Sequence, residues 1–241
     1  MASNSLLTER GMVRRAIPGL YPALDICRDH YHVAKELTIG KNIADVIFFR
    51  SDDDAVWPEA PLSAAESVIL SIVRLRTSAR LNTIARHAFL SIDEVEDAVM
   101  GRLAEWDLVR IGDRGMVEAT RAWADQSEVI TIEAKLTKWR DALSQAISYR
   151  HYSDRSYVLL PHFCVGAAVR NLHEFKIAGV GLLSYSPNEV EKILEAKPSR
   201  LHLWQREYAL SRLTQPRGRR TTRVRRTDRS HPTSPVRRAG G

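Results

Sequence analysis

Residues 129–152 read VITIEAKLTKWRDALSQAISYRHY. The first seven alternate, with Ile130, Ile132 and Ala134 on one face and Thr131, Glu133 and Lys135 on the other, which is the period of a strand. Thr137 is placed to cap a helix over 138–152, with Trp139, Ala142, Leu143, Ala146 and Ile147 as its buried stripe. Residues i and i+2 of a strand project together, so Glu133 and Lys135 point the same way. At about 100° per residue, Lys138, Gln145 and Tyr149 fall within about 40° of one another, on the flank of the helix's apolar stripe. That line can face the same cleft as Glu133 and Lys135.

Downstream, the patterns predict a strand over 156–160, a helix over 163–175 and a buried strand over 179–185. Strand, helix and strand make a crossover unit with parallel pairing. Two helical stretches, 188–196 and 199–213, follow. Upstream, Leu20, Ala23, Leu24 and Cys27 form one apolar helical face. Two extended segments, 31–37 and 42–49, are joined by a turn at 38–41. In the second, Ile43, Asp45, Ile47 and Phe49 share a face, which sets a carboxylate among three large apolar side chains.

The interval 50–128 is 79 residues long. Structureless loops beyond about 15 residues are uncommon inside a domain, so a folded insertion is expected here. Residues 63–75 form a helix with Val68, Ile69, Ile72, Val73 and Leu75 as its apolar set. A short helix over 81–89 comes next. Ser91 and Glu94 make a capping box opening a third helix, striped by Val95, Ala98, Val99, Leu103 and Trp106. Residues 108–118 make a hairpin around Gly112-Asp113-Arg114-Gly115. Three helices and a hairpin in this order resemble a winged helix-turn-helix. The third helix, however, carries Asp93, Glu94, Glu96, Asp97 and Glu105 against Arg102 alone. That is a poor match for phosphate, and a protein partner fits it at least as well as DNA.

An Asp and a Glu held side by side repel unless a cation sits between them, and hard carboxylate oxygens suit Mg²⁺, with Mn²⁺ as a substitute. The order helix, hairpin with an acidic residue, strand with E-x-K, helix, strand resembles the PD-(D/E)XK nuclease superfamily, the restriction-endonuclease-like fold. Gln145-Ala146-Ile147-Ser148-Tyr149 matches the Q-x-x-x-Y motif of its RecB-like members. The resemblance implies an α/β mixed-sheet core formed by 1–57 and 124–213, interrupted by a winged helix over 58–123. It implies Asp45 and Glu133 as metal ligands, with the backbone carbonyl of Ala134, and Lys135 as the catalytic lysine. Gln145 and Tyr149 would position the substrate strand. Ala44 stands where the family pattern has Pro. A further acidic residue is left open among Glu9, Asp25, Asp29 and Glu36.

The charge has its own distribution. The chain carries +7 overall, but residues 214–241 hold nine Arg against one Asp, so the remaining 213 residues sum to −1. The tail, rich in Arg, Pro, Thr and Ser, is expected to be disordered and to bind phosphate. No apolar run approaches the ~18 residues of a membrane span, and the first residues lack a secretory signal core. A cytoplasmic protein with two reduced core cysteines, Cys27 and Cys164, is expected. The alternatives are thin. His30, His32 and His151 lack a metal-site spacing, Asp52-Asp53-Asp54 reads as a solvated turn, and Gly179-x-Gly181 lacks the rest of a dinucleotide loop. The expected function is Mg²⁺-dependent hydrolysis of nucleic-acid phosphodiesters, DNA favoured, with the oligomeric state left open to a homodimer. The rival is a non-catalytic DNA-binding or regulatory protein that uses the winged helix and tail on a nuclease-like scaffold.

Overall fold

The computed structural model describes residues 8–50, 58–120, 128–187, 189–199 and 203–213. The Asp52-Asp53-Asp54 run, the expected boundaries at 57/58 and 123/124 and the basic tail lie outside them. Thr8 opens the first helix, α1 (Glu9–Ala23), its hydroxyl accepting the Gly11 N–H at 3.0 Å. Met12, Val13, Ala16 and Leu20 form its buried face. The helix starts earlier than its apolar face alone indicates and stops before Cys27. That cysteine is exposed and Cys164 only partly buried, so neither is a fully buried core residue.

Strands β1 (Tyr31–Ile39) and β2 (Asn42–Arg50) form a hairpin whose turn holds Gly40 at φ +63°, where a Cβ would be strained. They join β6 (Val129–Ala134), β7 (Arg155–Pro161), β8 (Gly181–Ser186) and β9 (Glu189–Leu194) in one sheet of order β1-β2-β6-β7-β8-β9. β6, β7 and β8 are parallel and the other pairs antiparallel. All six residues of β6 are buried, Thr131 and Glu133 included. The expected polar edge of that strand therefore lies inside the molecule, where Thr131 shares hydrogen bonds with Ser153 and Ser156.

Both faces of the sheet are covered. On one, α1 packs Met12 and Leu20 against Val46, Phe48, Ile132 and Leu159. On the other, α5 (Trp139–Tyr149) and α7 (Leu172–Ala178) enclose Val158, Leu160 and Leu182 with Trp139, Ala146 and Phe175. Thr137 does not cap α5: the cap position is Lys138, without a side-chain bond. Ile147, expected in the buried stripe, is 43% exposed. The helix expected over 163–175 is two short ones, α6 (Gly166–Val169) and α7, separated at Arg170 and Asn171. The helix expected over 188–196 is strand β9. Pairing with β8, Tyr185 opposite Val190, overrides the helix-favouring Glu, Lys and Leu of EVEKIL.

Between β2 and β6 run α2 (Ala64–Arg76), β3 (Ser78–Arg80), α3 (Leu81–Ala88), α4 (Ile92–Ala98), β4 (Val109–Ile111) and β5 (Met116–Ala119). Ser63 and Ser91 each head a complete capping box, with Glu66 and Glu94. The third helix continues past α4 in a wide turn over Val99–Leu103 that is interrupted at Gly101. The hairpin gains a third strand, giving β3-β5-β4. Leu75 is 69% exposed, and Leu70 takes the core place it was expected to fill. The segment is anchored to the last helix, α8 (Leu203–Leu213): Arg74 pairs with buried Glu207 at 3.1 Å and the Leu62 N–H donates to Ser211 Oγ. Among the described residues no helix is long and apolar enough to cross a membrane.

Candidate active site

β2 and β6 pair from Phe49↔Val129 to Val46↔Ile132. The next positions in that register are Asp45 and Glu133, so the two carboxylates arrive as cross-strand neighbours on one face. The strands part there. Asp45 Oδ2 accepts the Ala134 N–H at 2.8 Å, a carboxylate taking a donor that a continuing ladder would have used.

Glu133 is 1% exposed, and both its oxygens are engaged. Lys135 Nζ lies 2.7 Å from Oε1, and Tyr149 Oη lies 2.6 Å from Oε2. The same hydroxyl is 2.7 Å from the Ile43 carbonyl. One phenolic proton serves two acceptors, so the contact ties β2, β6 and α5 together at the point where the strands separate. Burial pushes the Glu133 carboxyl above its ordinary range, against the hydrogen bonds of Lys135 and Tyr149; the Asp45 charge adds to the rise. Burial also raises Asp45, opposed by the Ala134 N–H and Lys135. For Lys135, burial works to lower the ammonium pKa, but Glu133 outweighs it and the group is held above its usual value.

No protein-family model matches this chain, and no curated protein matches it. The chain is similar to a solved structure described as the SPO1766 protein of unknown function from Silicibacter pomeroyi, with 12% identity over 86% of this chain and 84% of that one, at a TM-score of 0.38.

Asp45, Glu133, Ala134, Lys135 and Tyr149 are therefore brought together, and Gln145 is not among them. Gln145 is exposed on α5, whereas Tyr149, one turn on, is 1% exposed. Expected on a substrate-facing flank, Tyr149 instead lies in the core and touches Glu133. Of the four open acidic candidates, the structure brings two to the site. Glu9 accepts the Leu136 N–H at 3.2 Å and lies 3.9 Å from Lys135 Nζ. Glu36 stands on β1 opposite Asp45, at a position the β1–β2 register skips. Asp25 pairs with Lys192 at 2.7 Å, and Asp29 lies in the short turn Arg28–His30. Thr8 before Glu9, a cap followed by a first-turn acid, was the available signal for α1's start.

The donor chemistry fits a hard divalent cation. The charges of buried Glu133 and partly buried Asp45 oppose one another and would be relieved by one, and the Ala134 carbonyl lies between Glu133 and Lys135 in the chain. Among the described residues no three His, Cys, Asp or Glu side chains converge as a cation-binding group. A cation here would take Asp45, Glu133, a backbone carbonyl and water.

Proposed function

We propose that this chain is a Mg²⁺-dependent nuclease of the PD-(D/E)XK type, RecB-like, with a winged helix inserted over 58–123, and that it hydrolyses phosphodiester bonds of DNA. One observation carries the reading: Asp45 and Glu133 are register neighbours where two central strands part, with the Lys135 ammonium 2.7 Å from Glu133. Solvated Glu and Lys alternate on many strands, but a buried Glu bonded to a Lys and a Tyr and flanked by a second, partly buried carboxylate is not a solvated pattern. A bound Mg²⁺ would polarise a phosphate oxygen and lower the pKa of an attacking water. Asp45 and Glu133 would hold it. Lys135, its side chain 22% exposed and its charge secured by Glu133, would orient the nucleophile and stabilise negative charge on phosphorus. Tyr149 fixes the Glu133 rotamer.

The test is cleavage of circular single- and double-stranded DNA in Mg²⁺, Mn²⁺ or EDTA by wild type, Asp45→Asn and Glu133→Gln. Nicking or degradation in Mg²⁺ or Mn²⁺, lost in EDTA and in both variants, is expected. DNA binding without cleavage under every condition would overturn the enzyme reading and favour the scaffold-bound DNA-binding protein.

A further inference from the structure

A cleft of about 510 Å³ opens beside Asp45, between α1 and β1, lined by Glu9, Arg10, Val13, Arg14, Lys35 and Glu36 together with Asp45. Its β1 wall lies on the far side of Asp45 from Glu133, because the strand order is β1-β2-β6, while Glu9 on its α1 wall reaches Lys135. Two strand spacings, roughly 10 Å, separate its β1 wall from Glu133 and Lys135.

Two features of this cleft are not required by the core. Arg10 holds Glu36 through two parallel bonds, Nε to Oε1 at 2.8 Å and Nη2 to Oε2 at 3.0 Å, although the side chains are 82% and 52% exposed. Glu36 also has φ +50°, in the left-handed region that a residue with a Cβ adopts only under constraint. Strict alternation would set Lys35 and Glu36 on opposite faces of β1; with the left-handed backbone at Glu36, both line this cleft together with Asp45, and Glu36 meets Arg10 on α1. Strain of this kind concentrates at functional positions. A guanidinium fork closed on a carboxylate has the geometry with which it would take a phosphodiester, and an exposed ion pair is weak enough to be exchanged for one.

We infer that the α1–β1 cleft is a subsite for a backbone phosphate of the polynucleotide next to the one being cleaved, bound by Arg10, Arg14 and Lys35, and that Glu36 occupies Arg10 until that phosphate replaces it. This rests on the nuclease reading and names how its substrate is held. Glu9 and Asp45 remain on the scissile side of the cleft, so the cations sort to the flanking phosphate and the carboxylates to the reacting one. The three basic residues are positioning residues. The site selects a chain with a neighbouring phosphate rather than a mononucleotide.

The experiment is binding of a fluorescent single-stranded oligonucleotide to the full chain in EDTA, by anisotropy over a salt series, so that no cleavage is needed. The Arg14→Ala/Lys35→Ala double variant should bind about five- to tenfold more weakly, with a log–log salt slope smaller by about 1.4, two contacts at ~0.7 each. Glu36→Gln should bind more tightly than wild type, and the gain should vanish in Arg10→Ala/Glu36→Gln. Wild-type slope and affinity in Arg14→Ala/Lys35→Ala, or a Glu36→Gln gain that survives loss of Arg10, would overturn the subsite. Inorganic phosphate bound as tightly as the oligonucleotide would overturn the polynucleotide assignment. These failures leave the nuclease reading standing. Failure of the wild type to bind the oligonucleotide would overturn the subsite, while the cleavage assay on single- and double-stranded DNA decides the nuclease reading separately.

Discussion

Replacing Tyr149 with Phe deletes one oxygen and keeps the ring, so the packing of Tyr149 against Tyr152, centroids 6.0 Å apart, survives. The oxygen removed lies 2.6 Å from Glu133 Oε2 and 2.7 Å from the Ile43 carbonyl. A single O–H can be counted as one donated bond, here shared with a buried carboxylate, and bonds to charged groups are worth about 1.5–3 kcal/mol. At roughly 2–4 °C per kcal/mol for a chain of this size, the melting temperature should fall by about 3–12 °C. Glu133 would keep Lys135 but lose the bond that fixes its second oxygen. Loss of such a support for a metal-binding carboxylate typically costs about 10–100-fold in metal affinity or activity. The assays are scanning calorimetry of the apo protein, Mn²⁺ titration and single-turnover DNA cleavage. Gln145→Ala is the control: exposed on the same helix, it should change stability by no more than about 0.5 kcal/mol. A Tyr149→Phe protein that melts within about 1 °C of wild type and binds Mn²⁺ equally well would refute the assignment of Tyr149 as the residue that holds Glu133.

Other consequences are independent of the chemistry. Gly181 begins β8 where an added Cβ would meet the Tyr157 ring and lie 2.8 Å from the Leu194 carbonyl oxygen. Gly181→Ala should therefore cost about 1–3 kcal/mol or more, read as a lower denaturant midpoint with unchanged m-value. Burial works against the charge of Glu195, but bonds from Lys192 and Tyr157 outweigh it and hold its carboxyl below the usual range. A lowered carboxylate adds stability above its unfolded pKa, and that share is lost as pH falls through the lowered value. Glu195→Gln should thus shallow the acid limb of a melting-temperature profile and leave the neutral plateau lower; an unchanged acid limb counts against the coupling. Deleting 214–241, with its nine arginines, should weaken DNA binding and flatten its salt dependence, measured by anisotropy. Equal slopes would make the tail a bystander.

The elements that sequence periodicity places correctly are those whose own residues carry the period. The strand expected over 129–135 and the helix expected over 138–152 appear as β6 (Val129–Ala134) and α5 (Trp139–Tyr149), although Thr137 does not cap the helix. EVEKIL failed because its composition favours a helix, and its strand identity comes from β8, which supplies an edge only after folding. Tyr149 failed for a related reason. Helical angles put it on the flank of α5, but β2 and β6 part at Val46↔Ile132, and the phenol reaches the carbonyl and carboxylate left at that parting. No angular count foresees where two strands diverge.

Glu36 carries the same lesson furthest. In the sequence it is one acid among four, and alternation along β1 sets it on the face opposite Lys35. Its backbone is left-handed, two bonds join it to Arg10, and it lines one cleft with Lys35 and Asp45. The departure from the local rule, not adherence to it, separates Glu36 from the solvated acids around it, because a residue keeps an unfavourable backbone only where surrounding contacts hold it there. Glu133 is recognised by the same test, as a carboxylate the strand period allows but burial opposes. Both departures occur within three adjacent strands, β1, β2 and β6, on either side of Asp45, and that coincidence is a stronger pointer to one working site than the E-x-K spacing alone.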